Sequence, residues 1–407
     1  MTLPKAGELV QLDFRRGAKT RNNDEGVKLL QWNIERGYKM EKIVDELKAI
    51  DADIIALQEV DIGCERSSSI DTGKHIAEQL GSNYVFFCEF EERYSPLRSP
   101  ELQGGGVHGN ALLSKFDISD ARLVHHRLHP VDWNNPDHPL QQSEPRRGQR
   151  AVLAATVHTP QGPLLCYCLH MELFCGMLAR IEQFADVMRD SKLQIKKGLY
   201  HQAIFGDLNT MAHGIARFSP RYCKDKMRFW SIGQSEAEFW DHTVFKVMDP
   251  DTIPEQDSLV QQRSRPAEGT QAVDNQPATQ AASAERSSQD DQRGVGSCEQ
   301  DAAEQEVAVG HFPPGLLVSS TNGELKKWGL ARQVCQDITN PGFVDPFDPS
   351  STVTLDHPAY RYFGFHLMKG KLDWLLLRKM KVLEKSIGNH DYAASDHKWL
   401  SACVQLC

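Results

Sequence analysis

An α/β fold is predicted by three features of this chain. Short apolar runs ending in polar residues, such as 27–33 (VKLLQWN), 53–60 (DIIALQEV) and 202–207 (QAIFGD), read as buried strands. Stretches with apolar residues at helical spacing, such as 39–50 and 174–189, alternate with them. The first two strands, separated by a single helix, form a strand, helix, strand unit whose two strands end on the same side.

In chain order, residues 1–26 are expected as an N-terminal extension before the first strand. Met40, Ile43, Val44 and Leu47 mark the buried stripe of the first helix, and Asn33 and Glu59 close the strands on either side of it. A second helix is expected over 72–80, stopped by Gly81, followed by a strand at 84–88. Gly104, Gly105 and Gly106 lead into a strand at 107–114 (VHGNALLS). No helix follows, as a nucleotide-binding glycine loop would require. Residues 116–150 are rich in Pro, Asn and His and read as a solvated loop bordering a cleft. Arg146, Arg147 and Arg150 at its end either meet a phosphate or stand at a solvated strand entrance. Strands at 151–158 and 163–170 are joined by TPQG into a hairpin, in which Cys166 and Cys168 share a core face. The helix at 174–189 buries Met177, Ile181, Phe184 and Met188. Core strands recur at 372–377 and 399–404.

The net charge of −9 is local. Residues 249–310 carry 13 acidic and 4 basic side chains and no Phe, Trp or Tyr, leaving a body with 42 acids and 42 bases. Such a segment cannot bury enough apolar surface to offset its ordering entropy, so a disordered acidic insertion is expected. It interrupts one domain spanning 27–407. The neutral body argues against tight nonspecific binding to duplex nucleic acid, which needs many phosphate contacts. The ten cysteines include no C-x-x-C pair and predict reduced thiols in an intracellular protein, cytoplasmic or nuclear. The first 17 residues lack the apolar run of a signal peptide, and no stretch approaches the ~18 apolar residues of a membrane span.

Function is read from the strand ends. In QAIFGDLNT a buried strand breaks at Gly206, and Asp207 and Asn209 project from one face if the chain stays extended; an ordinary Asp/Asn turn is the alternative. Other predicted strand ends carry Asn33, Glu59 and His170, and the stretches LDWLLLR and ASDHKWL carry Asp373, Asp396 and His397. Carboxylates with an amide suit a hard divalent cation, which takes oxygen ligands and leaves part of its shell to water and a substrate phosphate. Histidines beside it stabilise charge or move protons.

QWNIERG, ALQEVD, GNALLS, LLCYCLH, FGDLN, LDWLLL and SDH stand in the order found in the endonuclease/exonuclease/phosphatase superfamily, the fold of deoxyribonuclease I. The resemblance runs from about residue 27 to 405. Within it, LQEVD followed by Arg66, Ser67 and Asp71 is most similar to metal-dependent hydrolases of unassigned substrate. The resemblance implies a four-layer sandwich, two mixed β-sheets face to face with helices outside, and a hydrolase of phosphoester bonds using Mg²⁺, with Mn²⁺ as a substitute. It implies Asn33, Glu59 and Asp396 at the metal, with Glu59 a direct ligand. Asp207 resembles the carboxylate that orients or deprotonates the attacking water, and Asn209 the neighbour that holds phosphate or water. His397 resembles the histidine on the scissile phosphate, Asp373 the residue that fixes its ring, and His170 a hydrogen-bond donor to a phosphate oxygen. Arg66 stands as a further phosphate contact or as half of a salt bridge with Asp71. Glu172 is expected to orient His170 or a metal-bound water.

The chain departs from well-known branches in lacking their basic DNA-gripping loops and their extended surroundings of FGDLN and SDH. Two competing expectations remain: a DNA or RNA nuclease of the same fold, and a catalytically silent protein that recruits partners through the acidic insertion.

Overall fold

The computed structural model describes residues 2–16, 26–211, 218–225, 235–249 and 331–407. In chain order these form β1 (Leu9–Asp13), β2 (Val27–Asn33), α1 (Met40–Ile50), β3 (Ile54–Ile62), α2 (Thr72–Leu80), β4 (Asn83–Glu92), β5 (Val107–Ser114), β6 (Asp117–His125), β7 (Arg146–Gly148), β8 (Ala151–Thr159), β9 (Gly162–His170), α3 (Met177–Lys196), β10 (Gln202–Asp207), α4 (Glu236–His242), α5 (Arg332–Asp337), β11 (Phe343–Val344), β12 (Arg361–Tyr362), β13 (Phe365–His366), β14 (Asp373–Arg378), β15 (Met380–Gly388) and β16 (Trp399–Leu406).

The strands assemble into two large mixed sheets. One has the order β1-β4-β5-β3-β2-β16-β15, with β7 also paired to β4, and the other has the order β11-β14-β10-β9-β8-β6. The strand alternation divides their side chains between separate cores. Leu29, Ile54, Val85 and Leu112 of the first sheet meet Leu153, Cys166, Cys168, Phe205 and Leu375 of the second in a core between the sheets. Their neighbours Leu30, Ile55, Phe86 and Leu113 face outward onto Ile43, Val44 and Leu47 of α1 and Ile76 of α2. On the opposite outer face Tyr167, Leu169, Ile204 and Trp374 pack against Ile181, Phe184 and Met188 of α3 and Trp240 of α4. Helix, sheet, sheet, helix is therefore the layer order, because the central strands are apolar on both faces.

Local signals set the helix ends. Asp71 caps α2 by accepting from the Lys74 amide, and Gly81, at φ 61°, ends it in the left-handed conformation. That cap occupies the Asp71 side chain, so the expected pairing with Arg66 does not form. Three expectations are corrected. Residues 2–16 are not simply an extension, since β1 pairs antiparallel with β4 at the sheet edge. Residues 116–150 are not wholly loop, since β6 pairs with β8, and its polar outer positions had hidden the strand. The third helix begins at Met177 and runs on to Lys196. Asp249, the first residue of the expected insertion, is buried and pairs with Lys192 at 2.9 Å. Residues 250–310 lie outside the described residues.

Phe205 is fully buried in the core between the sheets. Phe205→Ala is expected to lower unfolding stability by about 3–5 kcal/mol, the cost of lost transfer and a residual cavity. Urea denaturation of parent and variant measures it, and a loss under about 1 kcal/mol would contradict this packing.

Candidate active site

Strand register gathers the polar strand ends into a row. In the second sheet Asp207 is paired with His170 of β9 on one side and with Asp373 of β14 on the other. In the first sheet Asn33 of β2 lies opposite Gln58 of β3. The loop carrying Asp396 and His397 is pinned to β2: Ser395 Oγ donates to the Asn33 carbonyl at 2.7 Å, and Trp32 Nε1 donates to the His397 carbonyl at 3.0 Å. Side chains more than three hundred positions apart thus share one edge of the sandwich.

Asp207 is at the centre. Its Oδ2 accepts from Asn33 Nδ2 at 3.0 Å and lies 3.5 Å from His170 Nε2 and 3.9 Å from His397 Nε2. Its Oδ1 accepts from the Asn209 amide at 2.9 Å. This is an Asx turn, with Asn209 itself left-handed at φ 50°. The two side chains therefore do not project in parallel, and Asn209 Nδ2 instead donates to the Met171 carbonyl at 2.9 Å. The turn reading and the site reading both hold, because the turn is what aims the carboxylate. Asn33 also donates to Glu59 Oε1 at 3.3 Å. Its oxygen accepts from the Glu35 amide at 3.1 Å, so Asn33 presents an amide NH₂ to the two carboxylates instead of an oxygen to a cation.

Glu59 reaches the site through a bulge. Residues 55 and 57 face the outer helices, and strict alternation would send residue 59 the same way. The β3–β5 register shifts between Leu57 and Val60, and Glu59 adopts φ 57°. The extra residue turns its carboxylate to Asn33 and to Arg36, whose Nε is 3.7 Å away.

His397 Nδ1 is 2.7 Å from Asp373 Oδ2, whose other oxygen accepts from Gln31 Nε2 at 3.2 Å. Gln31 in turn pairs with Gln58, giving the site a buried polar floor. Burial disfavours charge on His397, but Asp373, Asp396 and Asp207 outweigh it and hold its pKa well above the usual histidine value. His170 has the opposite setting: burial, with Arg150 and His108 nearby, pushes its pKa well down, so it stays neutral. Burial raises the Asp207 pKa to about 7 against the pull of His397, with Asp373 adding to the rise. Glu59 is half-buried, and against the cost of that burial Arg36, His108 and His397 bring its pKa down to about 2.

Among the described residues, Asp207, Asp373 and His397 form a group whose potential ligand atoms lie within 4.8 Å of one another. A charged imidazole has no lone pair to offer, so this group reads better as an orienting pair beside a carboxylate. The crowding of like charge lies next to it. Glu35 is raised to about 7 by burial and by Asp396, with Glu59 adding to the rise, and it accepts from the Asp396 amide at 3.1 Å. Asp396 and Glu59 both act on Glu35 through charge, and the three side chains offer carboxylate oxygens, the donor type a hard divalent cation takes.

The arginines expected at substrate are placed otherwise. Arg66 forms a buried bidentate pair with Asp61, at 2.8 and 3.0 Å, and reaches Glu92 at 3.2 Å. Arg146 binds Glu144 at 2.7 Å and lies over the Phe90 and Trp133 rings. Arg150 is buried against Glu89 at 2.7 Å. These three hold the protein together, and only Arg147 is exposed. Glu172 accepts from Trp133 Nε1 at 2.8 Å and so anchors the 126–145 loop, not His170. Sequence reasoning missed Glu35 and Arg36, although both lie inside QWNIERG, and Tyr360, whose hydroxyl donates to Asp396 Oδ2 at 2.6 Å. Nothing near Tyr360 in the chain signals that contact.

A family model described as the endonuclease/exonuclease/phosphatase family matches residues 30–397. Solved structures with a similar fold include an endonuclease/exonuclease/phosphatase from Beutenbergia cavernae, at 14% identity, covering 94% of this chain and 72% of that one with a TM-score of 0.43. The human Nocturnin catalytic domain with bound sulfate is 14% identical, covering 98% and 96% with a TM-score of 0.44. ANGEL2, a 2′,3′-cyclic phosphatase, is 14% identical, covering 96% and 100% with a TM-score of 0.46. A search of curated proteins found no match. No helix among the described residues is long and apolar enough to cross a membrane. With residues 30–397 of its 407 matched by the family model, the chain belongs to the endonuclease/exonuclease/phosphatase family.

Proposed function

We propose that this protein hydrolyses a phosphoester bond by attack of an activated water, with Mg²⁺ or Mn²⁺ as its cofactor. The observation that carries the reading is the meeting of Asp207 with His170 and with the His397–Asp373 pair at one sheet edge, beside the acidic set of Glu59, Asp396 and Glu35. Phosphoester hydrolysis needs an aligned nucleophile, positive charge against the phosphoryl oxygens and help for the leaving oxygen.

Asp207 is the proton acceptor. Its pKa near 7 matches general-base work at neutral pH, and Asn33 and the Asn209 amide fix its orientation. His397, kept charged and held by Asp373, donates from Nε2 to a nonbridging phosphate oxygen. Neutral His170 donates a hydrogen bond from Nε2 to the leaving oxygen or a second nonbridging one, with no added charge to compete with the base, and the leaving oxygen takes up the proton that Asp207 removed from the water. Glu59, Asp396 and Glu35 would hold the divalent cation, which when bound supplies positive charge to the phosphoryl group. The catalytic domain spans residues 27–407 with β1 added at its edge.

Asp207→Ala is expected to lower kcat for phosphoester hydrolysis by at least ~100-fold, the lower end of general-base effects. Thermal melting should stay cooperative, and turnover equal to the parent would refute the role. Chelation with EDTA is expected to abolish hydrolysis, and added Mg²⁺ or Mn²⁺ to restore it; activity that persists after exhaustive dialysis against EDTA would remove the cation from the reaction.

His397 is expected to remain charged at pH 7.5 in an NMR titration, with Asp373→Asn lowering its pKa. A raised folded pKa means that the pair's contribution to stability is complete below the ordinary histidine value, about 6.5, and fades as pH climbs through the raised one. Titration of the parent His397 at or below the ordinary value would contradict the assignment.

A further inference from the structure

At one end of the same sandwich edge lies a second concavity, of about 480 Å³, between the two sheets. Lys5 from the N-terminal segment, His125 from the end of β6 and Arg147 from β7 line it, together with Glu91 and the amides Asn134 and Gln149. Its position follows from register. In the second sheet His125 lies opposite Ala151 at the start of β8, and β8 pairs with β9, which ends at His170. In the first sheet the Gly7 amide donates to the Cys88 carbonyl at 2.8 Å, and Arg147 lies opposite Glu91. The groove thus stands two strands along from His170, roughly 10 Å at ~4.8 Å per strand, beyond reach of the reacting phosphate itself.

Two observations set it apart from an ordinary solvated surface. Lys5, His125 and Arg147 come from three separate segments and share one concavity with a single carboxylate, Glu91. Among the described residues neither the Lys5 ammonium nor the Arg147 guanidinium forms an ion pair; the carboxylate of Glu8 accepts from the Lys5 backbone amide instead. Gathering cations within a Debye length around a single carboxylate, Glu91, leaves an excess of positive charge that an anion would offset, and a concave wall focuses their field. The backbone is also committed to this placement. Gly148 has φ 139°, and a Cβ there would lie 2.0 Å from the Glu89 carbonyl oxygen, so only glycine lets β7 cross β4 and carry Arg147 into the groove. Lys5 lies outside the residues matched by the family model.

We propose that this groove is a second anion subsite, which holds a further phosphate group of the substrate while the first is processed beside Asp207. The proposal rests on reading the main site as a phosphoester hydrolase. Arg147 supplies a planar fork that bonds two phosphate oxygens at once, and Lys5 and, when protonated, His125 supply point charges. The substrate is accordingly a phosphate-bearing chain, not a lone monoester.

The test is calorimetric titration of the full chain at low salt without divalent metal, first with pyrophosphate and then with the single-stranded octamer of thymidylate. Lys5→Glu/Arg147→Glu is expected to weaken both at least tenfold and to flatten the salt dependence, whereas Arg147→Lys, which keeps the charge, loses less. Both positions are exposed, and a cooperative melt of the double variant confirms that it folds. Equal affinity in parent and double variant, or no binding by the parent, overturns the subsite. An octamer bound no more tightly than pyrophosphate overturns its assignment to an extended substrate and leaves a free phosphate as the ligand. The readout involves no turnover, so a protein that binds as expected yet hydrolyses nothing refutes the catalytic reading alone.

Discussion

Asp207 is buried between two apolar sheets, and a carboxylate in that position must be satisfied by whatever the neighbouring strands bring to it. Its partners come from β2, β9 and the loop before β16, with Asp373 of β14 beside it in register, so the register of four strands is tied to one side chain. The same burial that makes the carboxylate costly also sets its chemistry. Away from water it holds a proton more readily than an exposed aspartate, while the charged His397 nearby limits that rise. Glu59, half-buried and faced by Arg36 and two histidines, is driven the other way. Two carboxylates on one edge thus acquire opposite characters from their surroundings, which suits one to moving protons and the other to holding positive charge.

Rigidity around this edge comes from buried ion pairs in the loops. Arg66 joins Asp61 to Glu92, Arg98 joins Glu92 to Glu144, and Arg146 meets Glu144 again while stacking on Phe90 and Trp133. Trp133 is fixed from its other side by Glu172. Each link fastens an otherwise irregular segment to β3, β4 or the end of β9. Such pairs add little net stability over apolar packing, but breaking one partner strands a buried charge, so the loops have few alternative arrangements. A site held to within fractions of an ångström needs support of this kind.

Fold class was legible because strands apolar on both faces and helices with a single apolar stripe leave different periodic marks. The strands missed do not obey that rule: β6 and β15 expose polar residues at sheet edges, β1 is only five residues long, and β7, β11, β12 and β13 are two or three residues each. At the site, Asn33, Glu59, His170, Asp207, Asp373, Asp396 and His397 stood out as polar residues closing apolar runs or following one another in short motifs. The structure brings them to one edge. Arg66, Arg146 and Arg150 misled because an arginine has the same appearance in a sequence whether its partner is a phosphate or a buried carboxylate.

Which segments are buried on both faces, where helices α1 and α2 stop, and which polar residues stand at strand ends are readable from residue order, since these follow from local periodicity and backbone preference. Tertiary packing alone fixes that a bulge turns Glu59 inward, that Asn33 offers its NH₂ and not its oxygen, that Tyr360 reaches Asp396, and that Lys5 and Arg147 line one groove. Those outcomes depend on strand register and on contacts between residues distant in the chain, and neither quantity is encoded by any one segment alone.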